Sequence, residues 1–167
     1  MNKKYKYSIL LFFLWAQVVA SQAKKPSDSP NILFVFSDDH AWQSIGAYGG
    51  RLKEVAYTPH IDKLASEGML FRKCFVANAL CGPSRAAILT GKYGHRNGVT
   101  WNRNTNFDGS QQTFPKMLRK NGYQTAIIGK WHLASVPTGF DYFDVMKGQG
   151  RYYNPFLQRG NAEGLQD

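Results

Sequence analysis

Cysteine is scarce in this sequence, with two in 167 residues. A small scaffold stapled by several disulfides is therefore excluded. Acidic residues are also few, 11 against 21 lysines and arginines, for a formal net charge of +10. Charged residues make up 19% and hydrophobic ones 43%, which rules out a disordered tail or a collagen-like chain. No internal repeat is visible. Long apolar runs are missing too. The one at residues 8–20 falls short of the ~20 residues a membrane-spanning helix needs. What the chain does have is aromatic residues, 14% of the total, enough to build a core.

The N-terminus reads as a targeting segment. Lys3, Lys4 and Lys6 precede the apolar run, and small residues follow at Ala20, Ser21 and Ala23. This is the layout of a secretory signal peptide, with an uncleaved anchor helix as the alternative. No cysteine follows the run to accept a lipid. The expectation is a signal peptide at 1–23 and a polar, proline-bounded linker at 24–30, with the folded part at 31–167. The product would be exported, periplasmic or secreted, with no stable membrane span once the signal is removed. Three of the 21 basic residues leave with the signal, so the charge falls from +10 to +7.

The remainder alternates between strand and helix patterns. Residues 31–37, Asn-Ile-Leu-Phe-Val-Phe-Ser, suit a strand buried on both faces. Thr58 and Pro59 then open a helix, Thr58 as cap, with Ile61, Leu64 and Ala65 on one face and Gly68 at its end. Residues 69–76 read as a second strand, and 83–89 as a helix ended near Gly91. Residues 113–121 read as a helix with Phe114, Met117 and Leu118 on one face and Gly122 beyond it. A third strand is expected at 123–129. This order implies an α/β fold with a mainly parallel sheet flanked by helices. In such sheets ligands sit beyond the carboxyl ends of the strands.

That rule singles out two segments. Asp38 and Asp39 follow the first strand, and paired carboxylates are costly unless a cation lies between them. The plainer alternative is a loop entry capped by Asp38. Lys130 and His132, in Gly129-Lys130-Trp131-His132-Leu133, follow the third strand. They are two apart, so in extended backbone they share a side. A lone Lys and His in a loop are more often surface residues.

A third segment changes the weighing. Cys81-Gly82-Pro83-Ser84-Arg85 is followed by four residues and then Thr90-Gly91. This resembles the signature of the formylglycine-dependent sulfatases, Cys-x-Pro-Ser-Arg and a later Thr-Gly, at every position. The alternatives are a buried structural cysteine or a Cys74–Cys81 disulfide. The resemblance implies an alkaline-phosphatase-like, sulfatase fold. It also implies that Cys81 is oxidised to formylglycine by a formylglycine-generating or anaerobic maturation enzyme. In that family the hydrated aldehyde attacks the sulfur of a sulfate ester, and its second hydroxyl later expels sulfate. Unpaired amides at the start of the motif's helix would face the anion.

By the same resemblance, Asp38, Asp39 and residue 81 as formylglycine would bind a metal, usually calcium, with magnesium possible. Arg85 would hold the formylglycine hydroxyl and pair with the metal-site carboxylates. Lys130 and His132 would bind sulfate, the lysine offsetting charge and the histidine holding or exchanging a proton. Residues 137–143 and 148–155 look like the branch containing N-acetylglucosamine-6-sulfatases, which implies a sulfated carbohydrate of the glycosaminoglycan or mucin type. Their aromatic and basic side chains would suit such a glycan, or would simply pack a loop.

Other residues invite assignment with less reason. His95 and Arg96 fit turn structure as well as a substrate contact, and His40 and His60 are weaker still. Cys74 reads as a buried thiol. The positive charges are scattered and no nucleic-acid motif is present, so no nucleic-acid partner is expected. Sulfatases run much longer than this chain, and residues 160–167 show no closing strand or helix. The expectation is the N-terminal part of a catalytic domain, short of part of its sheet and metal site and inactive alone. Two other classes stay open: a phosphoester or phosphonate hydrolase of the same superfamily, and a non-catalytic glycan-binding remnant.

Overall fold

The computed structural model describes residues 29–103 and 105–166. The signal peptide and most of the linker expected from the sequence lie outside the described residues. The chain divides into two units, Met1–Ser37 and Asp38–Asp167.

In the first unit, residues 29–37 form no strand. Ile32 through Phe36 are all exposed, Leu33 at 88%, and Phe34 stacks on Phe36 with ring centroids 6.3 Å apart. The expected strand, buried on both faces, is thus not formed. A strand is stabilised by a hydrogen-bonded neighbour, and β-forming side chains alone do not supply one.

The second unit begins with two 3-10 turns, Trp42–Ser44 and Gly46–Tyr48. Helix α1, Pro59–Glu67, starts at proline as expected. Thr58 is its N-cap residue but makes no capping bond. Its hydroxyl instead accepts the Gly46 amide at 2.9 Å and donates to Asp62 at 3.1 Å. Asp62 also accepts the Ala47 amide at 2.7 Å, which ties α1 to the second turn. The expected apolar face is poorly covered, and Leu64 is exposed. Residues 69–76 form no strand, and Met69, Phe71, Phe75 and Val76 are exposed. Cys74 is exposed as well, which overturns the expected buried thiol.

Helix α2, Cys81–Thr90, starts two residues earlier than its sequence pattern indicates. Pro83 sits in the first turn, where a missing N–H costs nothing. Gly91 ends the helix in left-handed backbone at φ 66°, its amide reaching Ala87 O at 2.8 Å. A short helix α3, Gly94–Asn97, follows. Helix α4, Phe114–Lys120, buries Pro115, whereas Phe114 and Met117 stay partly exposed, contrary to the face expected for them.

Four strands form one sheet in the order β1-β2-β3-β4. They are β1, Ala126–Lys130; β2, Tyr142–Met146; β3, Leu157–Asn161; and β4, Gly164–Leu165. β1 matches the expected third strand, shifted towards Lys130. It pairs parallel with β2, so that Lys130 lies opposite Met146 at the carboxyl ends of both. The β2–β3 and β3–β4 pairs are antiparallel, so among the described residues the sheet is mixed. The sequence indicated none of β2, β3 and β4. β3 and β4 also correct the reading of the last residues as lacking a strand.

The core gathers Ala86 and Leu89 of α2, Val99, Phe107, Trp131, Leu133, Phe140, and Phe143 and Val145 of β2. α2 thereby shares one core with β2 and the segment leaving β1. Gly160 of β3 has no room for a side chain, because a Cβ there would collide with the Phe143 ring.

Candidate active site

The residues singled out from the sequence fall on three segments: the start of the second unit, the first turns of α2, and the end of β1. Arg85 lies on α2 one turn beyond Cys81 and reaches two of these segments at once. Its Nη1 donates to the Lys130 carbonyl at 2.5 Å, and its Nη2 pairs with Asp38 Oδ2 at 3.2 Å. Lys130 Nζ meets the same Asp38 oxygen at 2.7 Å. One carboxylate oxygen therefore carries two cations, and both cationic side chains are 14% exposed. The Lys130 hydrogen bond is the main influence holding the Asp38 carboxyl below its ordinary pKa, with the Lys130 and Arg85 charges adding to it and partial burial opposing.

Cys81 is the first residue of α2, half-buried and with a free thiol. Cys74 is free too, so the alternative Cys74–Cys81 disulfide is not formed. The amides around Cys81 differ from expectation. The Gly82 N–H is taken by the Asn102 side chain at 2.9 Å, Ser84 N–H by Leu80 O at 2.8 Å, and Pro83 has none. Three of the first four positions of α2 thus offer no free amide to an anion. Gly82 is packed too tightly for a larger residue. A Cβ there would lie 2.6 Å from Thr105 Cγ2 and 3.4 Å from the His132 carbonyl. That approach places the backbone of His132 beside the residue after Cys81.

His132 is 7% exposed, and its Nδ1 makes no hydrogen bond to the described residues. Burial is the main cause of its lowered pKa, followed by the charges of Lys130 and Arg85, while Asp38 works the other way. Lys130 and His132 are not joined by the extended backbone expected for them. β1 stops at Lys130, and His132 is left-handed at φ 51°. Between them Trp131 is anchored, its Nε1 donating to Ser135 O at 2.6 Å and its ring meeting Phe140 edge-on. This anchor turns the chain and sends His132 into the interior.

Asp39 takes no part in this network of described residues. It is exposed and left-handed at φ 52°. His40 and His60 are exposed, and His95 stacks on Tyr93 in and before α3. A groove of about 540 Å³ runs between the Gly46–Tyr48 turn and α1, and no candidate residue lines it. For a hard divalent cation the two aspartates are donors of the right kind. They are too few, since no three His, Cys, Asp or Glu side chains come together among the described residues.

Two contributors escaped the sequence reading. Asn102 lies in a loop with no pattern to mark it. Gln149 falls in the 148–155 stretch, which no sequence pattern ties to Lys130, yet its Oε1 accepts from Lys130 Nζ at 2.6 Å. The Gly148-Gln149-Gly150 triplet was the available signal, but it gains meaning only once β2 is known to end just before it.

The sulfatase family profile matches residues 30–164. The chain belongs to the sulfatase family. This sulfatase chain is 51% identical over 154 residues to an N-acetylglucosamine-6-O-sulfatase of Bacteroides thetaiotaomicron, covering 89% of this chain and 27% of the relative. It is 42% identical over 130 residues to human N-acetylgalactosamine-6-sulfatase, covering 71% and 24%. Among solved structures it resembles that of BT4656 in complex with its substrate, D-glucosamine-2-N,6-O-disulfate. That match has a TM-score of 0.72 and 49% identity, over 80% of this chain and 28% of the other. The sulfatase chain thus spans about a quarter of the length of the curated relatives it matches.

Proposed function

We propose that this chain carries the nucleophile-bearing part of a site that hydrolyses the sulfate ester of a sulfated carbohydrate, N-acetylglucosamine 6-sulfate being the leading candidate. One observation carries the reading. The residue following the Cys-x-Pro-Ser element, Arg85, bridges to Asp38 and to the backbone of Lys130, drawing three distant segments to one place. The resemblance to a relative named for N-acetylglucosamine-6-O-sulfatase activity, and to a structure holding a sulfated glucosamine, supports the sugar.

In this reading Cys81, exposed enough at the start of α2 to be modified, is converted to formylglycine by a maturation enzyme. Such a residue, once hydrated, supplies a nucleophile that can release sulfate without a second attacking water. The chain's own residues prepare the place. Arg85 and Lys130 set two cationic groups against the single charge of Asp38, and the net positive charge favours the anionic oxygens of a sulfate ester. His132, kept neutral by burial and with Nδ1 making no hydrogen bond to the described residues, would hold or exchange a proton with the hydrated residue 81 or with sulfate. Asp38 and Asp39 are the carboxylates that calcium, or magnesium, would draw on. Residue 81 as formylglycine would add an oxygen; with no further His, Asp or Glu gathered beside them among the described residues, this chain is expected to hold the ion weakly. The signal peptide and an extracytoplasmic location belong to the same proposal.

The test is mass spectrometry of the Cys81 peptide after co-expression with a formylglycine-forming enzyme. Conversion of the thiol to the lighter aldehyde is expected. Unmodified cysteine throughout would remove Cys81 from the mechanism and favour a non-catalytic protein. In a chain that turns over, comparison of matched sulfate and phosphate monoesters would separate sulfatase from phosphoester chemistry.

A further inference from the structure

We propose that Gln149 is a positioning residue that, together with Asp38, holds the Lys130 ammonium in place. The inference rests on the sulfatase reading only for what Lys130 is held towards; the holding itself stands on geometry. An ammonium has three N–H groups and no acceptor. At Lys130 they meet Asp38 Oδ2 at 2.7 Å and Gln149 Oε1 at 2.6 Å, leaving one for a ligand. Because the lysine can only donate, the glutamine must present its oxygen, which turns its own two amide N–H groups away from Lys130.

The loop around Gln149 is built to keep it there. β1 and β2 run parallel and end level, Lys130 opposite Met146, and the Trp131 amide extends the pairing to Met146 O at 3.3 Å. Gln149 leaves β2 three residues later, beyond the carboxyl ends of both strands. Gly148 and Gly150 flank it at φ 61° and 75°, backbone that other residues rarely adopt. Gly150 N–H closes the turn on Lys147 O at 3.3 Å, and a Cβ on Gly150 would press on Met146 Sδ at 2.7 Å. A neutral partner has a chemical point. A carboxylate at position 149 would grip Lys130 equally well but would cancel the charge that an anionic ligand needs.

Lysine acylation footprinting of the whole chain tests this, read by mass spectrometry site by site. In Gln149→Ala, Lys130 is expected to react roughly tenfold faster, the scale of losing one charge-assisted hydrogen bond. Lys116, held by the Gln111 carbonyl at 2.8 Å, serves as the sentinel of folding and should not change. Should Lys116 also accelerate, Gln149→Met takes the place of the alanine variant, since it keeps the length and removes only the acceptor. Gln149→Glu keeps an acceptor and should leave Lys130 as slow as in the parent chain. An unchanged Lys130 rate in a variant lacking the acceptor, or a fast one in Gln149→Glu with Lys116 steady, would overturn the proposal. Repeating the footprint with inorganic sulfate separates the two readings. Failure of sulfate to protect Lys130 would count against the sulfate site and leave the Gln149 result as it stands.

Discussion

Two stretches of the second unit both carry many apolar residues and use them differently. Residues 81–161 supply every member of the buried core, from Ala86 to Val145. Residues 42–76 supply none, and Leu64, Met69, Phe71, Phe75 and Val76 face outward. The second stretch is held by polar links instead: Asp62 to the Ala47 amide, Thr58 to the Gly46 amide, and the Tyr48 hydroxyl to Phe71 O at 3.1 Å. An apolar pattern stabilises only where a neighbouring element receives it. Cys81, Arg85, Lys130 and His132 sit on the packed stretch, and Asp38 joins them from before residue 42.

Truncating both stretches is the most direct way to break this comparison. Phe143→Ala, at a side chain 0% exposed, is expected to cost about 3–5 kcal/mol in urea unfolding. A smaller effect sharpens the picture of the site. His132 has a lowered pKa in the folded chain because it is buried, so the unfolded chain binds its proton first as pH falls. Its stabilising contribution is complete above about pH 6.5 and is lost as pH drops towards the lower folded value. The parent chain should weaken between pH 7.5 and 5, and His132→Gln should flatten that slope. An equal slope in both would mean that His132 is not buried neutral.

Asp38 gives a weaker signal of the same sign in a lower window. Its folded pKa is depressed by Lys130 and Arg85, so its contribution persists above about pH 4 and fades as pH falls further. Asp38→Asn should lessen the acid-side slope, which the lowered carboxyls of Asp108 and Asp141 would still maintain in part. Solvent reaches a third of the side chain, and the effect should stay well under about 1 kcal/mol. Smallest of all is Phe75→Ser, at a residue 88% exposed, expected within about 0.5 kcal/mol of the parent. A cost near that of Phe143→Ala would show that the 42–76 stretch buries its apolar side chains in solution, and the contrast between the stretches would fall.

Local chemistry made the helices and the site segments legible. Pro59, the Gly91 stop and the Cys81–Arg85 motif are written in adjacent residues, and the structure places α1, α2 and β1 close to where they were expected. The strands that depend on partners were not legible. β2 contains Asp144, a poor strand former, which the register sets opposite Arg159 so that the two pair at 2.9 Å. β3 reads Leu-Gln-Arg-Gly-Asn with no alternation, and its glycine exists to admit the Phe143 ring. Residues 31–37 fail in the opposite sense, with a strand-like pattern and no strand. Within the site, Arg85, Asp38 and Lys130 meet, while Asp39 stands apart and Gln149 enters from a strand end that the sequence did not reveal.

The Arg85 bridge also has a bearing on the order of events as the chain folds. α2 is local and can form as soon as its ten residues exist, whereas Arg85 must find partners 47 and 45 residues away. Contacts of such separation close late, because the entropy of the intervening loop must first be overcome. Cys81 is therefore expected to spend an interval on a formed or forming helix before Asp38 and Lys130 arrive. A modifying enzyme would find the thiol most accessible during that interval.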